Sequence, residues 1–397
     1  MLSKFSDYVE LNPRVTLVKG ERVPFVSMDA ISPANRWVRA QEERPASGSG
    51  SKFAPGDTLF ARITPCLENG KIAQFADDRP GMGSTEFFVL RARPNIADPN
   101  FVFYFARTRE LRAAAEKSMS GASGRQRADI TALSEFPCKL PSLLAQHRIA
   151  VILTRYDALI ENCKQRIHIQ EEMARLLYRE WFVHFRFPGY ENVPRVASRL
   201  GETPKGWEIK RVAECVQINP RITVLRNGEK PFVPMGCLSN DSMLITDIES
   251  RQSNSGAKFQ NGDTLFARIT PCLENGKTGF VQFLPDSDAI AFGSTEFIVL
   301  RSRTLTPEFV YLLARSDEFR GNAITSMSGA SGRQRVQEKC FDTFFIVHPP
   351  GDLLDQFSAF VAPSFRLIHQ LYLEIQNIRQ TRDLLLPRLL SGQLQPE

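Results

Sequence analysis

Sixteen consecutive residues of this chain occur twice: GDTLFARITPCLENGK runs from Gly56 to Lys71 and again, unchanged, from Gly262 to Lys277. GSTEFFVL at Gly83 to Leu90 returns as GSTEFIVL at Gly293 to Leu300, and SMSGASGRQR at Ser118 to Arg127 returns intact at Ser326 to Arg335. A repeat of this length constrains architecture before any local propensity does, because each copy must bury its own apolar face or that of its neighbour. The chain is therefore two copies of one unit, opening alike on Asn12-Pro13-Arg14 and Asn219-Pro220-Arg221. The shift between copies varies by a few residues from block to block, so the loops between fixed blocks differ in length. Stretches 29–52 and 236–258 occupy corresponding places but have drifted apart, which marks them as carriers of whatever distinguishes the copies.

Within each copy, Leu59, Ala61 and Ile63 alternate with Phe60, Arg62 and Thr64 after a Gly-Asp turn, the period of a strand with two distinct faces, and Pro65 ends it. Residues 86–91 read as a second strand. Asp98-Pro99 and Thr306-Pro307 then each supply a helix N-cap followed by proline at the first helical position. Each copy is thus expected to be a mixed α+β globule of about 140 residues, an ordinary domain size.

After each globule the period changes. Ile149, Leu153, Tyr156, Ile160, Cys163, Ile167, Gln170, Ala174 and Leu177 follow a 4-3 spacing. So do Phe357, Val361, Ser364, Ile368, Leu371, Ile375, Ile378, Arg382 and Leu385, displaced by 208 residues. Two matched stripes in one chain predict two long helices whose seams meet as a coiled coil, the alternative being that each packs only on its own globule. Pro363 predicts a kink or a late start in the second helix. The Pro- and Gly-rich stretch from Phe187 to Trp207 reads as a linker or surface crossover.

Lys and Arg number 50 against 44 Asp and Glu, a net charge of +6 that favours an anionic partner. The seven cysteines are scattered and never spaced Cys-x-x-Cys, so neither a disulfide framework nor a zinc site is indicated. The five histidines show no metal spacing. The start carries no apolar signal region and no run is long enough to span a membrane, so a reducing cytoplasm is expected. Gly276-Lys277-Thr278 mimics the end of a phosphate-binding loop, but Pro271 stands where its first glycine belongs. No Asn-Pro-Pro-Tyr methyltransferase motif and no glycine-rich cofactor turn occur, so catalysis should lie elsewhere and no cofactor is expected on this chain.

Candidate nucleic-acid contacts centre on the glycine- and arginine-rich repeat. Ser120, Ser123, Gly124, Arg125, Gln126 and Arg127 are answered by Ser328, Ser331, Gly332, Arg333, Gln334 and Arg335. Glycines let backbone N–H groups approach a phosphate, serines add donors, and arginines neutralise phosphate or bridge guanine O6 and N7. Lys71 and Lys277, beside Asn-Gly turns, are candidate phosphate contacts. Arg62, Thr64, Arg268 and Thr270 either face a groove from the strand or pair with Glu68 and Glu274 to hold the turn.

The order globule, helix, globule, helix, with these particular words, resembles the specificity subunit of Type I restriction-modification systems over essentially the whole chain. GDTLFARITPCLENGK and GSTEFFVL look like blocks of its target recognition domains. Residues 140–150 (LPSLLAQHRIA) look like the opening of its first helical region, and LYREWFV at 177–183 and RDLLLPRLLSG at 382–392 look like its helix ends. Residues 349–356 (PPGDLLDQ) match the opening of the second helical region only loosely. The resemblance implies an α+β fold in which two similar α/β target recognition domains are joined by two long helices forming an antiparallel coiled coil with pseudo-twofold symmetry. The expected boundaries are 1–141 and 203–350 for the recognition domains, 142–187 and 351–397 for the helical regions, and 188–202 for the linker. It implies a chain that reads a bipartite duplex target. Two methyltransferase subunits would hold the helices and use their own S-adenosylmethionine on adenine, and motor-nuclease subunits would cut unmethylated DNA. The reading from another class is a coiled-coil adaptor without sequence-selective DNA binding.

Overall fold

The repeated LFA run forms a strand in both copies, Thr58–Ala61 and Thr264–Ala267, with all four residues buried. Both faces are covered: Leu59 packs with Phe53, Phe75, Phe87 and Val89, whereas Phe60 packs with Phe88, Phe101 and Leu111 in a second cluster. A buried phenylalanine contributes roughly 2–3 kcal/mol, and alternate residues feeding two cores account for an apolar run, Leu59 to Ala61, between Thr58 and Arg62. The strand ends at Ala61, three residues earlier than the alternation predicts.

A computed structural model of the protein describes residues 3–46, 48–122, 124–222, 228–252, 255–330 and 332–394. They divide into two units, Met1–Glu161 with Gln376–Glu397, and Asn162–Ile375. In unit 1 one sheet runs Val9–Leu11, Phe87–Ala92, Thr58–Ala61, Ile72–Phe75, Trp37–Val38 in spatial order, antiparallel except for the last pair. A second runs Glu42–Pro45, Arg22–Val26, Gly81–Gly83, Ser51–Phe53, with its central pair parallel. Unit 2 repeats the first four strands of the first order through Val216–Ile218, Phe297–Ser302, Thr264–Ala267, Thr278–Phe280, without a counterpart of Trp37–Val38 among the described residues, and the whole second order through Glu249–Arg251, Lys230–Val233, Ala291–Gly293, Ala257–Phe259. The helices Pro99–Ala106 and Pro307–Arg315 start where the Asp-Pro and Thr-Pro signals predict. The Asp98 carboxylate accepts from the N–H groups of Asn100 and Phe101, and the Thr306 hydroxyl from that of Phe309.

Two long helices complete the units, Leu143–Tyr178 and Gly351–Leu390. In unit 1, Ile149, Ala150 and Leu153 share a core with Leu389, and Asp157 pairs with Arg382, so the residue numbers run in opposite directions. In unit 2 the same sense appears at Trp181 and Phe182, whose rings lie 5.9 and 4.9 Å from that of Phe357. The seams therefore meet, antiparallel, within each unit. Their register differs from the 4-3 reading: Asp157, Glu171 and Tyr178 are buried, while Tyr156, Gln170 and Leu177 are only half-buried, and Phe365 replaces Ser364. A straight helix of 3.6 residues per turn drifts away from a strict 3.5 repeat, and here the drift is followed. The second helix starts at Gly351 and runs through Pro363, which sits on its exposed face. There the missing N–H forgoes one bond without burying a clash, so the late start does not occur. The Pro-rich crossover contains a small hairpin, Arg195–Ser198 with Gly201–Pro204.

Buried Gln146 ties the first helix to its globule: its side-chain carbonyl accepts from Asp98 N–H and its amide donates to the carbonyls of Ile96 and Pro141. The corresponding position in the other copy is Leu354, a buried apolar residue. No helix among the described residues is long and apolar enough to cross a membrane.

Candidate nucleic-acid interface

The serine-glycine-arginine repeat folds as a narrow loop. Ser120 and Arg127 exchange both backbone hydrogen bonds, at 3.0 and 2.9 Å, and Ser328 and Arg335 do the same at 3.1 and 2.9 Å. At the tip, Gly124 (φ 79°) and Gly332 (φ 77°) adopt the left-handed conformation, with nothing within 4 Å of where a Cβ would sit. Glycine is required there by backbone torsion, not by crowding. The loop leads into a short helix (Ile130–Ser134) in one copy and a 3-10 turn (Glu338–Phe341) in the other.

Its last arginine fastens it. Arg127 donates to both carboxylate oxygens of Glu86 at 2.6–3.0 Å, and Arg335 to both of Glu296 over the same range. The hydrogen bonds from Arg127 and Arg335 hold the two glutamates below the usual carboxylate range, against a smaller opposing effect of burial. The preceding residue is held as well. The Thr64 N–H and hydroxyl both donate to the Gln126 carbonyl, at 3.0 and 3.3 Å. Thr270 N–H donates to the Gln334 carbonyl at 3.1 Å, and the Thr270 hydroxyl accepts from Gln334 N–H at 3.1 Å. Arg125 and Arg333 are different: both are exposed at the loop tip and neither side chain has a partner among the described residues. Ser123 and Ser331 lie outside the described residues.

The remaining candidates separate. Arg62 donates to Glu86 at 3.2 Å, and Arg268 to Glu338 at 2.9 Å and to the Val336 carbonyl at 3.2 Å. Their acid partners are thus Glu86 and Glu338 rather than Glu68 and Glu274, a correction that arises because the strand end turns toward the loop instead of toward the Asn-Gly turn. Lys71 and Lys277 point inward, donating to the carbonyls of Met28 at 2.9 Å and Met235 at 3.1 Å. Each ammonium thereby secures a 3-10 turn at the edge of a divergent stretch, and Lys71 is only 19% exposed.

An open cleft recurs on the same sheet edge of each unit. One, of about 570 Å³, is lined by Asn12, Arg14, Thr16, Gly50, Ser51 and Lys52 among others. The other, of about 430 Å³, includes Asn219, Arg221, Gly256, Lys258, Arg268 and Thr295. Asn12 (φ 48°) and Asn219 (φ 49°) turn the chain out of the sheet. Their side-chain carbonyls take the place of a strand partner by accepting from the N–H groups of Val89 and Val299 at 2.9 Å. The signal for these residues was in the sequence, since Asn-Pro-Arg recurs, but its chemistry is visible only once Lys52 and Lys258 are brought beside it.

The chain is built on a two-sheet module that holds an arginine-tipped loop by an internal ion pair, present twice and each time with a segment of both long helices. Residues 56–171 match the Type I restriction modification DNA specificity domain, and the sixteen residues that open this match recur at 262–277. The chain is 24% identical over 311 residues to the MjaIX specificity subunit of Methanocaldococcus jannaschii, covering 75% of this chain and 69% of that one. It is 21% identical over 404 residues to the HindI specificity subunit of Haemophilus influenzae, with coverages of 85% and 86%. Against the EcoEI specificity subunit of Escherichia coli it is 33% identical over 156 residues, spanning only 26% of that protein. The S subunit of M. genitalium shares its fold, with a TM-score of 0.52 at 13% identity over 98% of this chain and 96% of that one. The chain is thus similar to Type I restriction-modification specificity subunits over most of its length and matches their DNA specificity domain over residues 56–171.

Proposed function

We propose that this chain reads a bipartite duplex DNA target, one half-site per unit, and directs adenine methylation and restriction by partner subunits. The observation that carries this reading is the same exposed arginine, Arg125 and Arg333, on an identically fastened loop in each unit. An unpaired guanidinium on a narrow loop suits either a phosphate or the O6 and N7 of guanine. The bound arginines, Arg127 and Arg335, hold the loop, and Lys71 and Lys277 support the divergent stretches from within. In this reading recognition domains 1–141 and 203–350, helical regions 142–187 and 351–397 and linker 188–202 place the two units in opposite directions about a pseudo-twofold axis, so the half-sites are related and inverted.

Partner binding falls to the helices. Ile169, Met173 and Leu176 lie one turn apart on the first helix and are 52%, 55% and 47% exposed, an apolar face suited to a helix of a methyltransferase subunit. S-adenosylmethionine and the nuclease motor would then belong to partner chains, the whole working in the cytoplasm. Selection of bound duplexes from a random pool by the full chain with its methyltransferase partner tests the reading. Enrichment of one motif in two parts separated by a fixed gap is expected. Recovery of the pool without enrichment would instead make the chain a protein adaptor.

A further inference from the structure

The clefts at the two Asn-Pro-Arg corners play no part in the reading so far, yet they are the most closely duplicated unexplained feature of the molecule. Stretches 29–52 and 236–258 have diverged almost throughout, but both end on Ser-Gly-x-Lys-Phe: Ser49 to Phe53 and Ser255 to Phe259. The glycine has a structural reason. At Gly50 (φ 109°) an added Cβ would stand 2.7 Å from the Gly83 carbonyl oxygen, and at Gly256 (φ 112°) 1.9 Å from that of Gly293. The lysine has none of that kind. Lys52 and Lys258 are half-buried in the cleft walls, Arg14 and Arg221 are exposed opposite them, and none of the four side chains has a partner among the described residues. No carboxylate lines either cleft among the described residues. Two cations brought together without a counter-ion repel one another, an arrangement that gains free energy only when an anion enters.

The clefts also adjoin the recognition loops. Arg268 and Thr295 line the second cleft, and the next residue, Glu296, holds Arg335. In unit 1 the wall residue Ser51 donates to the carbonyl of Phe87, beside Glu86, at 2.9 Å. We infer that each cleft seats a backbone phosphate of the duplex, through Arg14 and Lys52 in unit 1 and Arg221 and Lys258 in unit 2. The inference rests on the DNA-reading function above. The ligand is the phosphodiester rather than a base because the cation pair is the same in both units while the stretch leading to it is not. An invariant pair suits the invariant part of the ligand. The cleft fixes register, and the divergent stretch beside it carries discrimination.

The test uses the full chain and a fluorescent duplex of random sequence, titrated at several salt concentrations. Neutralising one cation that pairs with a phosphate lowers the slope of log affinity against log salt by ~1, so R14Q/K52Q and R221Q/K258Q should each lower it by ~2. Preference for the selected target over random duplex should stay within about threefold. The charge-keeping R14K/K52R should retain the wild-type slope, which separates lost charge from lost fold, and R109Q/K139Q, outside the clefts, should leave the slope alone. A wild-type slope in both double glutamine variants overturns the assignment while leaving the DNA-reading function intact. A loss confined to one base position of the target also overturns it, placing these residues on a base. If the wild-type chain with its methyltransferase partner binds no duplex at any salt concentration, the functional reading fails and the cleft assignment with it.

Discussion

Arg382 and Asp157 form an ion pair with side chains 6% and 4% exposed, between the end of the last helix and the first half of the earlier one. Asp157 also accepts from the Tyr104 hydroxyl, which in turn accepts from Arg36 at 2.9 Å. Replacing Arg382 by methionine leaves a carboxylate buried with only that hydroxyl. Removing one partner of such a pair costs 3–5 kcal/mol as an order of magnitude, and the surviving tyrosine puts this case near ~3 kcal/mol. Asp157→Asn should cost a similar amount by stranding the guanidinium, which keeps only exposed Asp383. The double variant D157L/R382M removes both charges. It loses one acceptor for Tyr104, about 1 kcal/mol, and gains apolar contact, so it should lie within ~1 kcal/mol of wild type. Hydrogen exchange read by peptide suits a chain of two units, where a single unfolding midpoint is ill-defined. Amides of Thr58–Ala61 should exchange on the order of a hundredfold faster in each single variant and near the wild-type rate in the double, with Thr264–Ala267 unchanged in all. A double variant as damaged as the sum of the singles, or single effects below ~1 kcal/mol, would refute the claim that this pair is held in a low-dielectric seam.

Three further outcomes are expected. Glu86 and Glu296 have pKa values lowered from 4.5, so the loop contacts they make are fully present above that pH and are lost only as pH falls through the lower folded-state values. Exchange at Ser120 and Arg127 should therefore stay slow at pH 5 and quicken under stronger acid, whereas E86Q should quicken it even at neutral pH. Loss of slow exchange already near pH 6 in wild type would point to another group. Arg125→Ala and Arg333→Ala should each cost ~1–3 kcal/mol of DNA binding and relax one position of one half-site, measured by selection; a uniform loss across sequences would put these arginines on phosphate. Ile169→Asp with Met173→Asp should weaken co-purification with the methyltransferase subunit by at least tenfold, as two apolar anchors of ~1.5 kcal/mol or more are removed. Unaltered co-purification would place the contact elsewhere.

The repeat made the duplicated architecture legible, because verbatim blocks must adopt the same strands and caps wherever they recur. That the helix seams meet was legible in the two stripes, their antiparallel sense only through the family resemblance, and their register not at all. Asp157 and Glu171 are charged, so an apolar stripe passes them by, yet both are buried. Asp157 is held by Arg382, and Glu171 accepts from the Ser242 hydroxyl and the Met243 N–H, each at 2.7 Å. These two sites also differ between the copies: 208 residues away stand Phe365 and Arg379. Burial still pushes the Glu171 carboxyl up, its partners offsetting only part of the effect. The loop arginines were legible as a group, but which is free and which is clamped depends on Glu86 and Glu296, about 40 residues away in sequence, a distance no local pattern crosses. For the same reason Lys71 read as a surface cation when its carbonyl partner, Met28, belongs to another part of the fold.

The account stands on each unit reading its own half of one target. Grafting residues 29–52 in place of 236–258, so that both units carry the same divergent stretch, and mapping methylated adenines in cells that supply the partner subunits tests this most directly. The account predicts a motif in which one half is unchanged, the other becomes its inverted copy, and the gap keeps its length. Methylation at the original sites, or at sites where both halves have changed, would contradict it.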